Sequence, residues 1–199
     1  MMAQKIEITR DDLMSMTDYE AERKERRTKM TALKRNRRIS IGPDATFYFE
    51  SYATMFHQIH EMLLIEKGGE AQISDELEAY NPLIPKGREL VATLMFEIDD
   101  ENRRARFLAG LGGVEKTVSI AFNGQNPVLA KPEEDIDRTT ADGKASAIQF
   151  LHFPFDADQI TLFKDKSVQI TLGIAHAKYG HMAILSADAR DALMSDFIV

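Results

Sequence analysis

The sequence predicts an α+β protein: an N-terminal helical layer with a β-hairpin, packed on a mainly antiparallel C-terminal sheet that carries short helices. Three observations predict it. Apolar residues recur every three or four positions in the first third of the chain, they alternate at period two through much of the remainder, and turn formers separate the alternating runs. Taken in order, Thr9 with Asp12 and Thr17 with Glu20 have the spacing at which a threonine caps a helix and an acid three residues on returns the bond. A short helix followed by a longer one over residues 18–34 is expected. RRISIGPDATFYFES then switches to period two around Gly42, Pro43 and Asp44, which predicts a hairpin. Tyr52, Met55, Phe56, Ile59, Met62 and Leu63 mark an amphipathic helix that should stop at Gly68 and Gly69, with a further short helix over residues 74–80 ended by Asn81 and Pro82.

Beyond it, Leu90, Ala92, Leu94, Phe96 and Ile98 alternate along a strand, and Asp99 or Asp100 caps a helix carrying Phe107, Leu108 and Leu111 before Gly112 and Gly113. Val118, Ile120 and Phe122 form the next strand, and Asn123-Gly124 is a strong hairpin signal. The pattern of strand, capped helix and strand recurs from Ile148, through the capping pair Asp156 and Gln159, to Val168, Ile170, Leu172 and Ile174. KTVSIAF and KSVQITL stand at matching positions of the two segments, which suggests an internal duplication. Ser186 caps a last helix. The helical layer and hairpin occupy residues 1–86 and the sheet residues 87–199, expected to form one compact unit.

Composition narrows the function. The chain of 199 residues has no Cys, which excludes thiol catalysis, thiolate-held zinc, Cys-ligated iron-sulfur clusters and disulfides. No run reaches the roughly eighteen apolar residues of a membrane span, and MMAQKIEITRDD lacks the apolar core of a secretory signal, so a cytoplasmic location is expected. Charge is unevenly placed. Residues 22–38 hold nine cations and two anions, +7 in a chain whose net charge is −7, which leaves −14 for the rest. A basic helix on an acidic body either meets an anionic partner or pairs with the body's own carboxylates.

Four sets of residues could carry chemistry. His57, His60 and Glu61 share one side of a helix and are good ligands for iron or zinc, with His176 or His181 of HAKYGH completing a site if the sheet packs nearby. Glu66 continues the apolar stripe of Phe56, Ile59 and Leu63, and a carboxylate there needs a partner. Arg23 or Arg26, on the packing face of the preceding helix, could pair with it. Lys34, Arg35, Arg37 and Arg38 cluster near Tyr48 and Phe49 as a candidate anion or nucleic-acid site. Tyr179 with His181 is the best acid-base pair, while His152 among aromatics reads as a packed histidine. The glycines at Gly68 and Gly110 follow helices instead of opening them, so no phosphate loop is present, and no GxSxG elbow occurs.

ITRDDLMSMTDYEAERKERR, FYFESYATMFHQIHEMLLIEKGGE, ELEAYNPLIPKGRELVATLMFEI, RTTADGKASAIQFLHF and HAKYGHMAIL, in that order, resemble domain-of-unknown-function family 3501 of bacteria over nearly the whole chain. The resemblance supplies no reaction. It implies genes beside rubrerythrin-like and iron-sulfur oxidoreductase proteins as partners. The role expected from all this is a non-catalytic accessory or interaction protein that acts with redox or iron proteins through its helical layer, with no cofactor assigned. The alternatives are a metal-binding redox protein or enzyme using the His/Glu set, and nucleic-acid binding through the basic patch.

Overall fold

The computed structural model of the chain describes residues 5–123, 125–133 and 144–198, and its helices and two antiparallel sheets give the α+β class that the sequence predicts. A 3-10 turn at Arg10–Asp12, capped by Thr9, leads to α1 (Met16–Arg35). Its cap is Ser15, whose hydroxyl accepts the Asp18 N–H at 3.1 Å, so α1 begins ahead of the Thr17 and Glu20 pair, which lies inside it. The hairpin is β1 (Arg38–Ile41) and β2 (Ala45–Phe49). Gly42 turns it with φ +64°, and a Cβ there would lie 2.7 Å from the side chains of both His181 and Tyr179. Glycine is thus required twice over.

α2 (Tyr52–Glu66) starts at Ser51, which exchanges bonds with Thr54, and ends at Lys67 in the left-handed region, φ 56°. α3 (Gly69–Tyr80) begins a full turn before the expected residue 74, because the Gln72 side chain accepts the Gly68 N–H at 2.8 Å and stands in for a cap. The rest follows as β3 (Glu89–Phe96), α4 (Glu101–Leu108, capped by Asp100), β4 (Val118–Phe122), β5 (Val128–Leu129), β6 (Lys131–Pro132), β7 (Ile148–Pro154), α5 (Ala157–Lys164), β8 (Ile170–His176), β9 (Tyr179–Ile184) and α6 (Ala187–Met194). The expected hairpin after β4 forms, with Ser119 opposite Leu129 and Ile120 opposite Val128. Gly124 of its turn lies outside the described residues.

The strands make a five-stranded sheet, β1-β2-β3-β7-β6, and a four-stranded sheet, β5-β4-β8-β9. The recurring segments β3-α4-β4 and β7-α5-β8 each start in the first sheet and end in the second, with β3 antiparallel to β7 and β4 antiparallel to β8. Alternation turns Phe47, Phe49, Leu94 and Leu151 of one sheet toward Ile120, Leu172 and Ile174 of the other, and this is the main core. A second core lies on the opposite face of the five-stranded sheet, where Val91 and Phe150 meet Met55, Ile59 and Leu63 of α2, with Ile8, Leu83 and Ile84 around them.

Polar ties close the structure. The Tyr179 hydroxyl donates to the Ile41 carbonyl at 2.6 Å and accepts the Asp44 N–H at 3.1 Å, which fastens β9 to the β1-β2 turn. Arg37, 4% exposed, donates to the carbonyls of Phe49, Glu50 and Ala192 and pairs with Asp196, also buried. Arg190 likewise donates to the carbonyls of Leu162, Phe163, Asp165 and Val168 at the end of α5. No helix among the described residues is long and apolar enough to cross a membrane.

Candidate functional site: a cleft between the helical layer and the five-stranded sheet

Register builds the floor of the site. Antiparallel pairing sets Arg38 opposite Tyr48, Tyr48 opposite Thr93 and Thr93 opposite Phe150, one row across four strands on the face turned to the helices. Glu50 follows Tyr48 by two residues, so alternation keeps it on the same face, and its N–H bonds the Val91 carbonyl at 2.8 Å. α2 begins immediately afterwards and brings Thr54 over Glu50. The Thr54 hydroxyl donates to one carboxylate oxygen at 2.7 Å and the Thr93 hydroxyl to the other at 2.8 Å. All three side chains are buried, Glu50 at 8% exposure. Among the described residues no basic side chain reaches this carboxylate. Each oxygen accepts one hydroxyl and retains a lone pair.

Above the row opens a cleft of about 420 Å³. Met55 and Gln58 of α2, Tyr80 at the end of α3, Leu83 and Lys34 of α1 form its walls. Burial pushes the Tyr80 phenol up, and the nearby carboxylates of Glu76, Glu66 and Glu50 act in the same direction. Tyr48 donates to Glu97 at 2.5 Å, and the Arg38 guanidinium stacks over the Tyr48 ring, 4.9 Å from its centroid. Arg37 also borders the cleft, but four of its five N–H groups are engaged by three carbonyls and Asp196, and its charge is paired with that carboxylate. The available cations are therefore Lys34 and Arg38, and the inner acceptor is Glu50.

A second polar cluster joins α1 to α2. Arg23 holds Glu61 through two bonds, 2.9 and 2.8 Å, and the Tyr19 hydroxyl donates to the same carboxylate at 3.0 Å. The guanidinium holds the Glu61 carboxyl down at about 2, well below its ordinary value. His57 Nδ1 lies 2.9 Å from the Tyr19 oxygen. His60 is fully buried, its ring stacked on Tyr19 at 4.7 Å, with Nδ1 2.7 Å from the Phe56 carbonyl and Nε2 accepting the Met14 N–H at 3.0 Å. Those bonds define a neutral imidazole protonated on Nδ1. Burial pushes both histidines down.

The proposed metal set is accordingly divided. His57, His60 and Glu61 lie together but face protein partners, while His181 sits on β9 against Gly42 and the Tyr179 ring, 4.5 Å away. Among the described residues no three His, Asp or Glu side chains are placed to share an ion. The expected pairing of Glu66 with Arg23 or Arg26 is replaced. Arg23 bonds Glu61, Arg26 bonds Glu22 one turn back, and Glu66, exposed in the last turn of α2, accepts from Gln72 at 2.9 Å. The basic cluster separates too, since Lys34 and Arg38 face the cleft, Arg37 is buried and Arg35 is exposed. His152 meets Glu89 at 3.1 Å, and the Tyr179 hydroxyl is committed to backbone. Sequence reasoning missed Glu50, Thr54 and Thr93. The available signal was an acid placed between the FYF strand and the Ser51 cap, on the same alternation as Tyr48.

The family model described as protein of unknown function, DUF3501, matches residues 7–197. The chain belongs to the DUF3501 family. A crystal structure from Burkholderia pseudomallei, titled a novel protein of unknown function, is 35% identical with a TM-score of 0.88, covering 96% of this chain and 99% of its own. No curated protein matches. The resemblance read from the sequence blocks is thereby shown, and the fold is that of a DUF3501 protein whose solved relative has the same overall architecture.

Proposed function

We propose that this DUF3501 protein binds a small organic molecule in the cleft, one with an acidic group held by Arg38 and Lys34 and a hydrogen-bond donor, amine or hydroxyl, placed on Glu50. The observation that carries the reading is the buried Glu50 carboxylate, held open by two threonine hydroxyls and, among the described residues, without a cation of its own. A cleft of about 420 Å³ is within the ordinary range for small-ligand sites. Its aromatic and aliphatic walls, Tyr48, Tyr80, Leu83 and Phe150, supply burial, while the polar groups at its two ends set orientation. An accessory role beside redox or iron proteins would draw instead on the helical layer.

The test is a thermal-shift screen of the full chain against aminocarboxylates, hydroxyacids, simple amines and organic phosphates, followed by calorimetry on the hits. A ligand at a hundredfold its Kd should add about 2.7 kcal/mol to stability. Glu50→Gln and Arg38→Ala should each weaken binding about tenfold or more, since each removes a charged hydrogen-bond partner worth about 1.5–3 kcal/mol. The reading fails if only compounds lacking one of the two groups bind, if nothing binds, or if both substitutions leave affinity unchanged.

A further inference from the structure

The charges around the cleft are sorted by sign. Lys34 and Arg38 belong to one end, and among the described residues neither forms an ion pair. Glu97 lies at the same end, where it accepts the Tyr48 hydroxyl. Two cations less one carboxylate leave a single positive charge there, which matches a monoanionic carboxylate and not a dianionic phosphate.

The Glu50 end is purely acidic. Glu76 precedes Tyr80 by one turn on the same face of α3. The Gln72 amide bridges Glu76 and Glu66 at 2.8 and 2.9 Å, which commits its side-chain nitrogen to both. Burial is the first cause that raises the Tyr80 phenol, and Glu76, Glu66 and Glu50 add to it, so all three carboxylates act on one point of the cleft wall. Glu50 and Glu76 are each 8% exposed, and among the described residues neither meets a cation. Buried charges are ordinarily paired, because a lone charge away from water is costly.

The open acceptor sites on Glu50 state what completes them. After Thr54 and Thr93 have bonded it, each oxygen keeps a lone pair. A hydroxyl brings one proton, fills one of these sites and leaves the charge unbalanced. A primary ammonium brings three N–H donors and a full positive charge, enough for both oxygens and for the Gln58 amide oxygen or the Tyr80 hydroxyl on the same wall. We infer that the cleft selects aminocarboxylates bound as zwitterions, with the primary ammonium on Glu50 and the carboxylate at Arg38 and Lys34. Glu76 strengthens that choice through its charge. The inference rests on the ligand-binding reading of the cleft and narrows its donor from amine or hydroxyl to a cation.

The experiment is calorimetry of the full chain with the protein amino acids, β-alanine and γ-aminobutyrate. The tightest binder is then compared with two analogues that carry a hydroxyl or a hydrogen in place of the ammonium. Both analogues should bind at least about tenfold more weakly, as expected for loss of a charged hydrogen bond. Glu50→Gln should close most of that gap, and Glu76→Gln should weaken the ammonium compound more than its hydroxyl analogue. The analogue comparison is made on the wild type, so it decides the matter even where a variant fails to fold. If the hydroxyl analogue binds as tightly, and both compounds still depend on Glu50 and Arg38, the inference is overturned while the cleft reading stands. The same holds if hydroxyacids bind and no aminocarboxylate does. If no compound binds, or if binding ignores both Glu50→Gln and Arg38→Ala, the two fall together.

Discussion

The two sheets share one core and differ in what lies on their outer faces. The five-stranded sheet is covered by α2, so Val91 is fully buried and Glu50 is held where water is scarce. Among the described residues no such layer covers the four-stranded sheet, and Met182, Ile184 and Leu129 are 77%, 63% and 62% exposed. Between its flanking large residues lie the small ones Ser119, Gly173, Ala121 and Thr171. Burial removes competing water and strengthens each polar contact, and the cleft lies on the covered sheet.

The largest test of this difference is Arg37→Ala. It leaves Asp196 buried without its cation and frees three carbonyls where β1 joins α6, and should cost about 3–5 kcal/mol in urea unfolding. Next, Leu94→Ala and Leu172→Ala, both fully buried, should each cost about 3 kcal/mol, because the inner faces belong to one core. A cost well below that in either sheet would break the comparison. His60→Ala should cost about 2 kcal/mol through loss of its bonds to Met14 and Phe56. Because burial depresses the His60 pKa, its contribution is present above the ordinary value near 6.5 and is lost as pH falls through the lower folded value. Urea titrations of the wild type and His60→Gln across that window check the slope.

Smaller effects separate the outer faces directly. Val91→Thr, under α2, should cost about 1.5 kcal/mol by burying a hydroxyl, whereas Ile184→Thr on the open sheet should stay within about 0.5 kcal/mol. Equal values would mean that the second face is covered in solution. The Arg23 and Glu61 coupling should be small in a double-mutant cycle, because solvent screens the 35%-exposed arginine side chain. Glu61 is depressed to about 2 from 4.5, so this stabilisation is complete above pH 4.5 and disappears between about 4.5 and 2. Glu61→Gln should flatten acid unfolding in that interval.

Local chemistry made much of the fold legible. Thr9 with Asp12, Asp156 with Gln159, Ser186, and the Gly42 turn all act within a few residues, and all appear where the sequence places them. The first turn of α3 was hidden because Gly68 and Gly69 read as a stop, while Gln72 supplies the missing cap from inside the helix. The site was harder to see. Periodicity pointed to Glu66, which shares the apolar stripe of α2, but the helix ends there and its last turn clears the core. Glu50 draws its meaning from Thr93, 43 residues away, through a strand register that no local pattern states.

The crossing of β3-α4-β4 and β7-α5-β8 from one sheet to the other affects how the molecule opens. Neither sheet contains two consecutive strands of either segment, so separating β3 from β7 pulls on the linkers that hold β4 against β8. Amide protons in the middle of both sheets, at Leu94 and Leu172, should therefore exchange with solvent at one shared opening free energy, while those of α1 exchange through a separate and shallower event.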